Sequence, residues 1–264
     1  MSTTKKNPEG LGVLLRALKL PGVGAHYAEA ASRAEKGGWG FTDYLRHLCE
    51  IEVEERRQRR ITRLLKLSEL PPDKKLATLK LERLPPKVRR QIPALCEGGF
   101  VEKAENLLAF GLPGRGKTHL LSAIGHELVQ RGYKLLFRSA YALVQQLLVA
   151  KRDLALEKML HRLDSFDVVV IDDVGYIQQD REEMEVLFTF LAERYERRSV
   201  MITSNLVFSQ WDRIFKDPMT TACAIDRVVH HAIILELTGP SVRGEEAKER
   251  NAAAVAAAEK LTNP

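Results

Sequence analysis

The chain has 264 residues, 45% of them hydrophobic, enough for one large domain or for a medium domain with a smaller companion. Its net charge of +6 is unevenly placed. Residues 1–100 carry a net +8 and the other 164 a net −2, and residues 56–90 hold 13 Lys and Arg against 3 acids, which points to a polyanionic partner. No apolar run approaches the ~18 residues of a membrane helix, the opening M-S-T-T-K-K-N-P-E-G has no apolar signal core, and Cys49, Cys96 and Cys223 form no C-x-x-C pair. A soluble intracellular protein with reduced thiols, rather than a disulfide framework or a zinc site, is expected.

Leu11, Leu14, Leu15 and Leu18 recur at i, i+3, i+4 and i+7 and predict a first helix with one apolar face, ended by Pro21-Gly22. A second helix is expected over 25–35, closed by Gly37-Gly38. A third should run from an N-cap at Thr42 to about Leu67, burying Tyr44, Leu45, Leu48, Ile51, Ile61, Leu64 and Leu65. These helices make a small basic all-α domain over 1–70. Within E-V-E-E-R-R-Q-R-R, Glu52 with Arg56 and Glu55 with Arg59 pair at i, i+4, whereas Arg57, Arg60, Arg63 and Lys66 have no such acid. Arg56, Arg57, Arg60 and Arg63 are candidates for nucleic-acid phosphate contact; the alternative is a solvated, self-paired face. With only Trp39, Phe41 and Tyr44 nearby, stacking on unpaired bases is not indicated.

Pro71-Pro72 and Pro85-Pro86 bracket a mixed stretch, and 71–100 reads as a linker. Residues 106–110 form a short apolar strand that breaks into a glycine-rich turn fitting G-x-x-x-x-G-K-[ST] at Gly111, Gly116, Lys117 and Thr118. Such a loop closes backbone N–H groups around phosphate oxygens, which side chains at Gly111, Gly114 and Gly116 would obstruct. Lys117 supplies a charge for the outer phosphates of ATP, Thr118 a hydroxyl ligand for Mg²⁺, and the helix from Lys117 the positive end of its dipole. Downstream, strands are predicted over 133–138, 167–172, 199–205 and 232–237, with helices over 140–150, 154–163 and 181–197. Strands alternating with helices define an α/β domain with a parallel, doubly wound sheet over 101–245, followed by an Ala-rich tail over 246–264.

In D-V-V-V-I-D-D, Asp172 ends a buried strand on the rim that carries the phosphate loop. It is the candidate Mg²⁺ ligand, and Asp173 the candidate that polarises the attacking water; either could instead cap the turn. Asn205, after Thr203 and Ser204, can orient the water or meet the γ-phosphate, with a turn-forming role as the rival. Arg227 is the candidate arginine finger acting across a subunit boundary, with an ordinary surface arginine as alternative and Arg213 as a weaker competitor. His230 and His231 read as structural.

Together G-L-P-G-R-G-K-T-H-L, V-V-V-I-D-D-V-G, M-I-T-S-N-L-V-F-S-Q-W and I-D-R-V-V-H-H-A-I-I-L resemble the IstB family, AAA+ ATPases encoded beside an insertion-sequence transposase and akin to the DnaC helicase loaders and DnaA initiators. The resemblance covers about 100–245 and, more loosely, the basic N-terminus. It implies an AAA+ P-loop NTPase domain with a reduced or absent C-terminal lid, in an ATP-dependent, DNA-binding homo-oligomer. The oligomer would remodel target duplex DNA in the cytoplasm at the nucleoid and recruit or stimulate its transposase. Carried over by position, Gly111, Leu112, Pro113, Gly114, Arg115, Gly116, Lys117, Thr118 and His119 surround the nucleotide, Asp172-Asp173 is Walker B, Asn205 sensor 1 and Arg227 the finger. The helices at 140–163 resemble the extra element of the initiator clade that lines the DNA path, which implicates Lys151, Arg152 and Lys158. Arg115 stands where relatives often have a small or β-branched residue, and Arg243 is the candidate stand-in for a sensor-2 arginine. Two other readings stay open: a helicase loader that prefers single strands, and a small-molecule kinase, for which the basic N-terminus has no purpose.

Overall fold

The computed structural model describes residues 8–176, 181–206, 218–239, 241 and 244. Two compact units divide between Arg63 and Leu64.

The first unit is helical: α1 (Pro8–Ala17), α2 (Pro21–Gly37) and most of α3 (Phe41–Ser68). Pro21 opens α2 rather than closing α1, because its fixed φ suits the first helical position and its missing N–H would have had no partner there. Gly38, at φ 62, closes α2, and the N–H of Trp39 returns to the Ala34 carbonyl at 2.9 Å. Thr42 lies inside α3, not at its cap. The expected leucine face is mostly unburied: Leu15 is buried, but Leu11, Leu14 and Leu18 are exposed, as is Leu45 on α3. A polar tie holds α2 to α3 instead. Glu52, 4% exposed, accepts from the N–H groups of Gly22 at 2.7 Å and Val23 at 3.2 Å and from Arg56 Nε at 2.7 Å. A carboxylate from one helix thus caps the N-terminus of another, where its charge meets the helix dipole. Desolvation works against the charged form, but hydrogen bonds from Arg56, Val23 and Gly22 hold the carboxyl below its ordinary range.

The second unit is a five-stranded, all-parallel sheet ordered β2-β3-β4-β1-β5, from β1 (Asn106–Phe110), β2 (Leu135–Ser139), β3 (Val168–Asp172), β4 (Ser199–Ser204) and β5 (Ala232–Glu236). Every residue of central strands β1 and β4 is buried, as the near-continuous apolar runs of a doubly covered parallel sheet require. Alternate residues feed two cores. Leu108, Phe110, Val169, Ile171, Val200 and Ile202 face α7 (Ala140–Arg152), α9 (Arg181–Arg194) and α10 (Pro218–Val229). Leu107, Ala109, Val168, Val170 and Met201 face α6 (Lys117–Gln130) and α4 (Pro86–Glu97). Short helices α5 (Gly99–Glu102) and α8 (Leu156–Asp164) complete the unit.

Residues 71–100 are not a linker. Leu84, Val88, Ile92, Leu95, Cys96 and Phe100 are buried in the core beneath α6, so the nucleotide-binding unit starts at Leu64 rather than 101. Of the proline pairs that suggested a connection, Pro85-Pro86 serves as a helix start, with Pro86 in the first turn of α4, while Pro71-Pro72 leads into a turn. On the far face, Arg194 is 2% exposed and donates to the carbonyls of Leu163, Phe166, Asp167 and Ser199 at 2.8–3.2 Å, fastening the starts of β3 and β4. Its burial lowers its pKa to about 9. Among the described residues no helix is long and apolar enough to cross a membrane. The tail over 246–264, Arg213 and Arg243 lie outside the described residues.

Candidate nucleotide-binding site

The phosphate loop leaves the carboxyl end of β1 with glycines where the backbone demands them. Gly114 and Gly116 have φ 81 and 84, in the left-handed region. At Gly111 a Cβ would fall 2.5 Å from the Leu237 carbonyl oxygen, and at Gly114 one would fall 2.1 Å from Ser241 Oγ. The residues just after β5 therefore press on the loop from outside, and Arg115 adds to this contact by donating to the Leu237 carbonyl at 3.3 Å. Gly116 caps α6, whose first helical hydrogen bond is Leu120 N–H to the Gly116 carbonyl at 2.8 Å. The N–H groups of Thr118 and His119 precede that bond at the helix N-terminus, a position suited to phosphate oxygens. Leu112 and Pro113 are exposed at the loop tip.

Lys117 is only 6% exposed and its Nζ donates to the Gly111 and Leu112 carbonyls at 2.6 and 3.1 Å, a charge parked inside the loop it would serve. The Thr118 hydroxyl, one residue on, donates to Asp172 Oδ1 at 2.9 Å, so residues 54 apart in sequence meet where a phosphate-bound cation belongs. Thr203, on β4, donates to the same oxygen at 2.6 Å and accepts the Asp173 N–H at 2.8 Å. Asp173 itself has φ 60, rare for a residue with a Cβ. Asn205, past the end of β4, turns its amide oxygen over Gly175, where a Cβ would lie 1.8 Å away. That oxygen is buried and has no hydrogen-bond partner among the described residues. The glycine cradle, the buried lysine and this unpaired amide fit a nucleoside triphosphate with its divalent cation.

His119 points elsewhere: its Nε2 lies 3.1 Å from Thr78 Oγ1 and 3.2 Å from the Lys75 carbonyl, tying α6 to residues 75–78. Arg227, half-buried on α10, stacks on Phe188 of α9 with its guanidinium carbon 5.0 Å from the ring centroid. Its neighbour Val228 accepts from Asn106, the first residue of β1, at 3.0 Å. Arg227 thus lies by the amino end of the sheet, opposite this chain's own phosphate loop. His230 and His231 stand at the same end, with His230 Nδ1 2.9 Å from Tyr195 Oη and His231 Nε2 3.7 Å from Glu196.

The candidate DNA-contacting cations divide by partner. Arg56 pairs with Glu52 at 2.7 Å, Arg57 with Glu54 at 3.5 Å, Lys151 with Glu185 at 3.0 Å and Arg152 with Asp153 at 3.1 Å. Arg60 is exposed on α3 and also has an interaction. Arg63 and Lys158 are exposed and make no ion pair among the described residues. Thr203 escaped the sequence reading; its signal was one fully buried hydroxyl inside the otherwise apolar V-M-I-T.

The parallel sheet, the phosphate loop after β1 and the carboxylate at the end of β3, two strands away, define a P-loop nucleotide-binding fold. Residues 13–250 match the model of the IstB-like ATP binding protein family, and the chain belongs to that family. It is 41% identical over 240 residues to a Sinorhizobium fredii protein named as an insertion sequence ATP-binding protein, covering 90% of this chain and 80% of the relative. Identity to the ATP-binding protein of insertion sequence IS5376 from Geobacillus stearothermophilus is 37% over 229 residues, 87% of this chain and 91% of that one. Among solved structures, DnaI aligns with a TM-score of 0.54 at 23% identity over 65% of this chain and 96% of its own. The replication initiator DnaA, bound to AMPPCP and single-stranded DNA, aligns with a TM-score of 0.55 at 20% identity over 70% of this chain and 57% of its own. Both likenesses concern the fold.

Proposed function

We propose that this protein is a Mg²⁺-dependent ATPase that assembles as an oligomer on duplex DNA and, in its ATP state, recruits or stimulates the transposase of its insertion sequence. The observation that carries the ATPase half is the meeting of Thr118 and Asp172 beside Lys117. Thr118 and Asp172 would hold Mg²⁺, which supplies charge neutralisation between the outer phosphates. Lys117 and the α6 N–H groups bind and orient the phosphates. Asp173 accepts the proton of the attacking water, and Asn205 orients that water or the γ-phosphate. Arg227 is too far around the sheet to serve its own loop, so it acts as the finger for a neighbouring subunit.

Assembly and hydrolysis are then linked. If ATP favours the assembled state, assembly favours ATP equally, and hydrolysis removes the coupling. Family membership supports the link to transposition. Of the candidate cations, Arg63 on α3 and Lys158 on α8, exposed and without an ion pair among the described residues, are the ones we assign to DNA phosphates. ATPase assays test the chemical half. Asp173→Asn should leave binding of ATP within about threefold of the parent and lower kcat by roughly 100-fold, the scale of a lost general base. Normal turnover by Asp173→Asn would remove Asp173 from the mechanism. The helicase-loader reading would instead require single-stranded DNA to be preferred over duplex in the same binding assay.

A further inference from the structure

We infer that Thr203 is a positioning residue of the ATPase site, setting both Walker B carboxylates through a single hydroxyl; the inference rests on the ATPase reading above. Thr203 is fully buried on β4, opposite Ala109 of β1. The side-chain alternation of the sheet turns it toward α6: Met201, two residues earlier, packs in the α6 core, and so does Val170, two before Asp172. Asp172, Thr203 and the Thr118 of α6 are brought to one point by that shared parity.

The hydroxyl uses both its capacities. Its proton goes to Asp172 Oδ1 at 2.6 Å, and its lone pair takes the Asp173 N–H at 2.8 Å. Thr118 donates to that same Oδ1, so both hydrogen bonds fall on one oxygen. Fixing Oδ1 sets the rotation of the carboxylate and leaves Oδ2 as the oxygen for the shell of a cation. The second bond holds the Asp173 backbone at φ 60, a conformation that residues with a Cβ rarely adopt, and so aims its side chain. A merely structural hydroxyl in a strand would bond a nearby carbonyl. This one instead joins the two residues that the chemistry separates into metal holder and base.

Thr203→Val keeps the shape and deletes the hydroxyl; Thr203→Ser keeps the hydroxyl and deletes a methyl. Two readouts on the full chain separate the roles: steady-state ATP hydrolysis, and Mg²⁺ titration of the binding of a fluorescent ATP analogue, with EDTA as the metal-free reference. For Thr203→Val the expected result is a kcat lower by about 10–100-fold with KM changed less than about threefold, and several-fold more Mg²⁺ needed for half-maximal binding, with EDTA binding unchanged. Thr203→Ser should return within about threefold of the parent on both. Should the valine variant not fold, Thr203→Cys, of similar size and a weak donor, takes its place in the same comparison. Parent-like kcat and Mg²⁺ dependence in Thr203→Val would overturn the inference, as would equal loss in the Val and Ser variants, which would mean shape alone. A parent protein that neither binds nor hydrolyses ATP would sink the ATPase reading itself, and this inference with it.

Discussion

The two units of the chain are held together by different means. In the unit from Leu64 onward, apolar strands are covered on both faces, and side chains such as Leu107, Leu120, Ile171 and Phe190 are almost wholly buried. Among the described residues of the unit up to Arg63, only Leu15, Ala30, Leu48 and Ile61 are buried hydrophobics, several leucines face solvent, and the Glu52 carboxylate on the α2 N-terminus does the fastening. The lesson is one of tolerance. A sheet with two cores can keep polar side chains such as Thr203 and Lys117 buried and aimed, because the surrounding packing fixes the backbone. A thin helical unit has little packing to spare and depends on a few polar ties.

The largest effect should come from breaking a buried polar fastening of the well-packed unit. Arg194→Met removes the guanidinium donor to four carbonyls and should cost about 3–5 kcal/mol, read as a lower denaturant midpoint. Next, Lys117→Ala removes the charge within the phosphate loop and should weaken ATP binding roughly 100-fold while leaving the melting temperature nearly unchanged.

The helical unit should respond to acid through Glu52. Glu52 is held below its ordinary pKa of 4.5 in the folded state, so its contribution is present above that value and is lost as pH falls through the lower, folded value. Glu52→Gln should lose about 1–2 kcal/mol near neutrality and flatten the acid limb of the stability curve of this unit, followed by hydrogen exchange in α2. A smaller change is expected from Arg60→Glu with Arg63→Glu, which should reduce the salt dependence of DNA binding by about one unit of slope per residue. The smallest is a labelling contrast: exposed Cys49 should react with a thiol reagent in the native protein, while Cys96, buried and with its thiol pushed up to about 11, should stay protected.

Much of the sheet unit was legible because its signals are local. The run V-V-V-I-D gives a doubly buried strand and places Asp172 at its end, and the spacing from Gly111 to Thr118 carries the loop. The strands at 106–110, 168–172 and 232–236 fall within a residue of their expected bounds. Thr203 and Gly175 went unseen because their importance lies in what they touch across the sheet, which sequence spacing does not encode. Residues 71–100 misled because proline pairs mark both loops and helix starts, and only burial of Val88, Ile92 and Phe100 separates the two. In the helical unit the i, i+3, i+4 leucines correctly gave a helix, but periodicity does not say what covers a face. The tie that holds α2 was hidden in an acid read only as an i, i+4 partner of Arg56.

The most direct test of ATP-dependent assembly on DNA is sedimentation of the purified protein with labelled duplex or single-stranded DNA, with and without ATP, at one fixed salt concentration. The expected result is a large complex on duplex DNA only with ATP, lost in Arg227→Ala although that variant still binds nucleotide. A complex of the same size without ATP, or one that Arg227→Ala forms as readily as the parent, would contradict it.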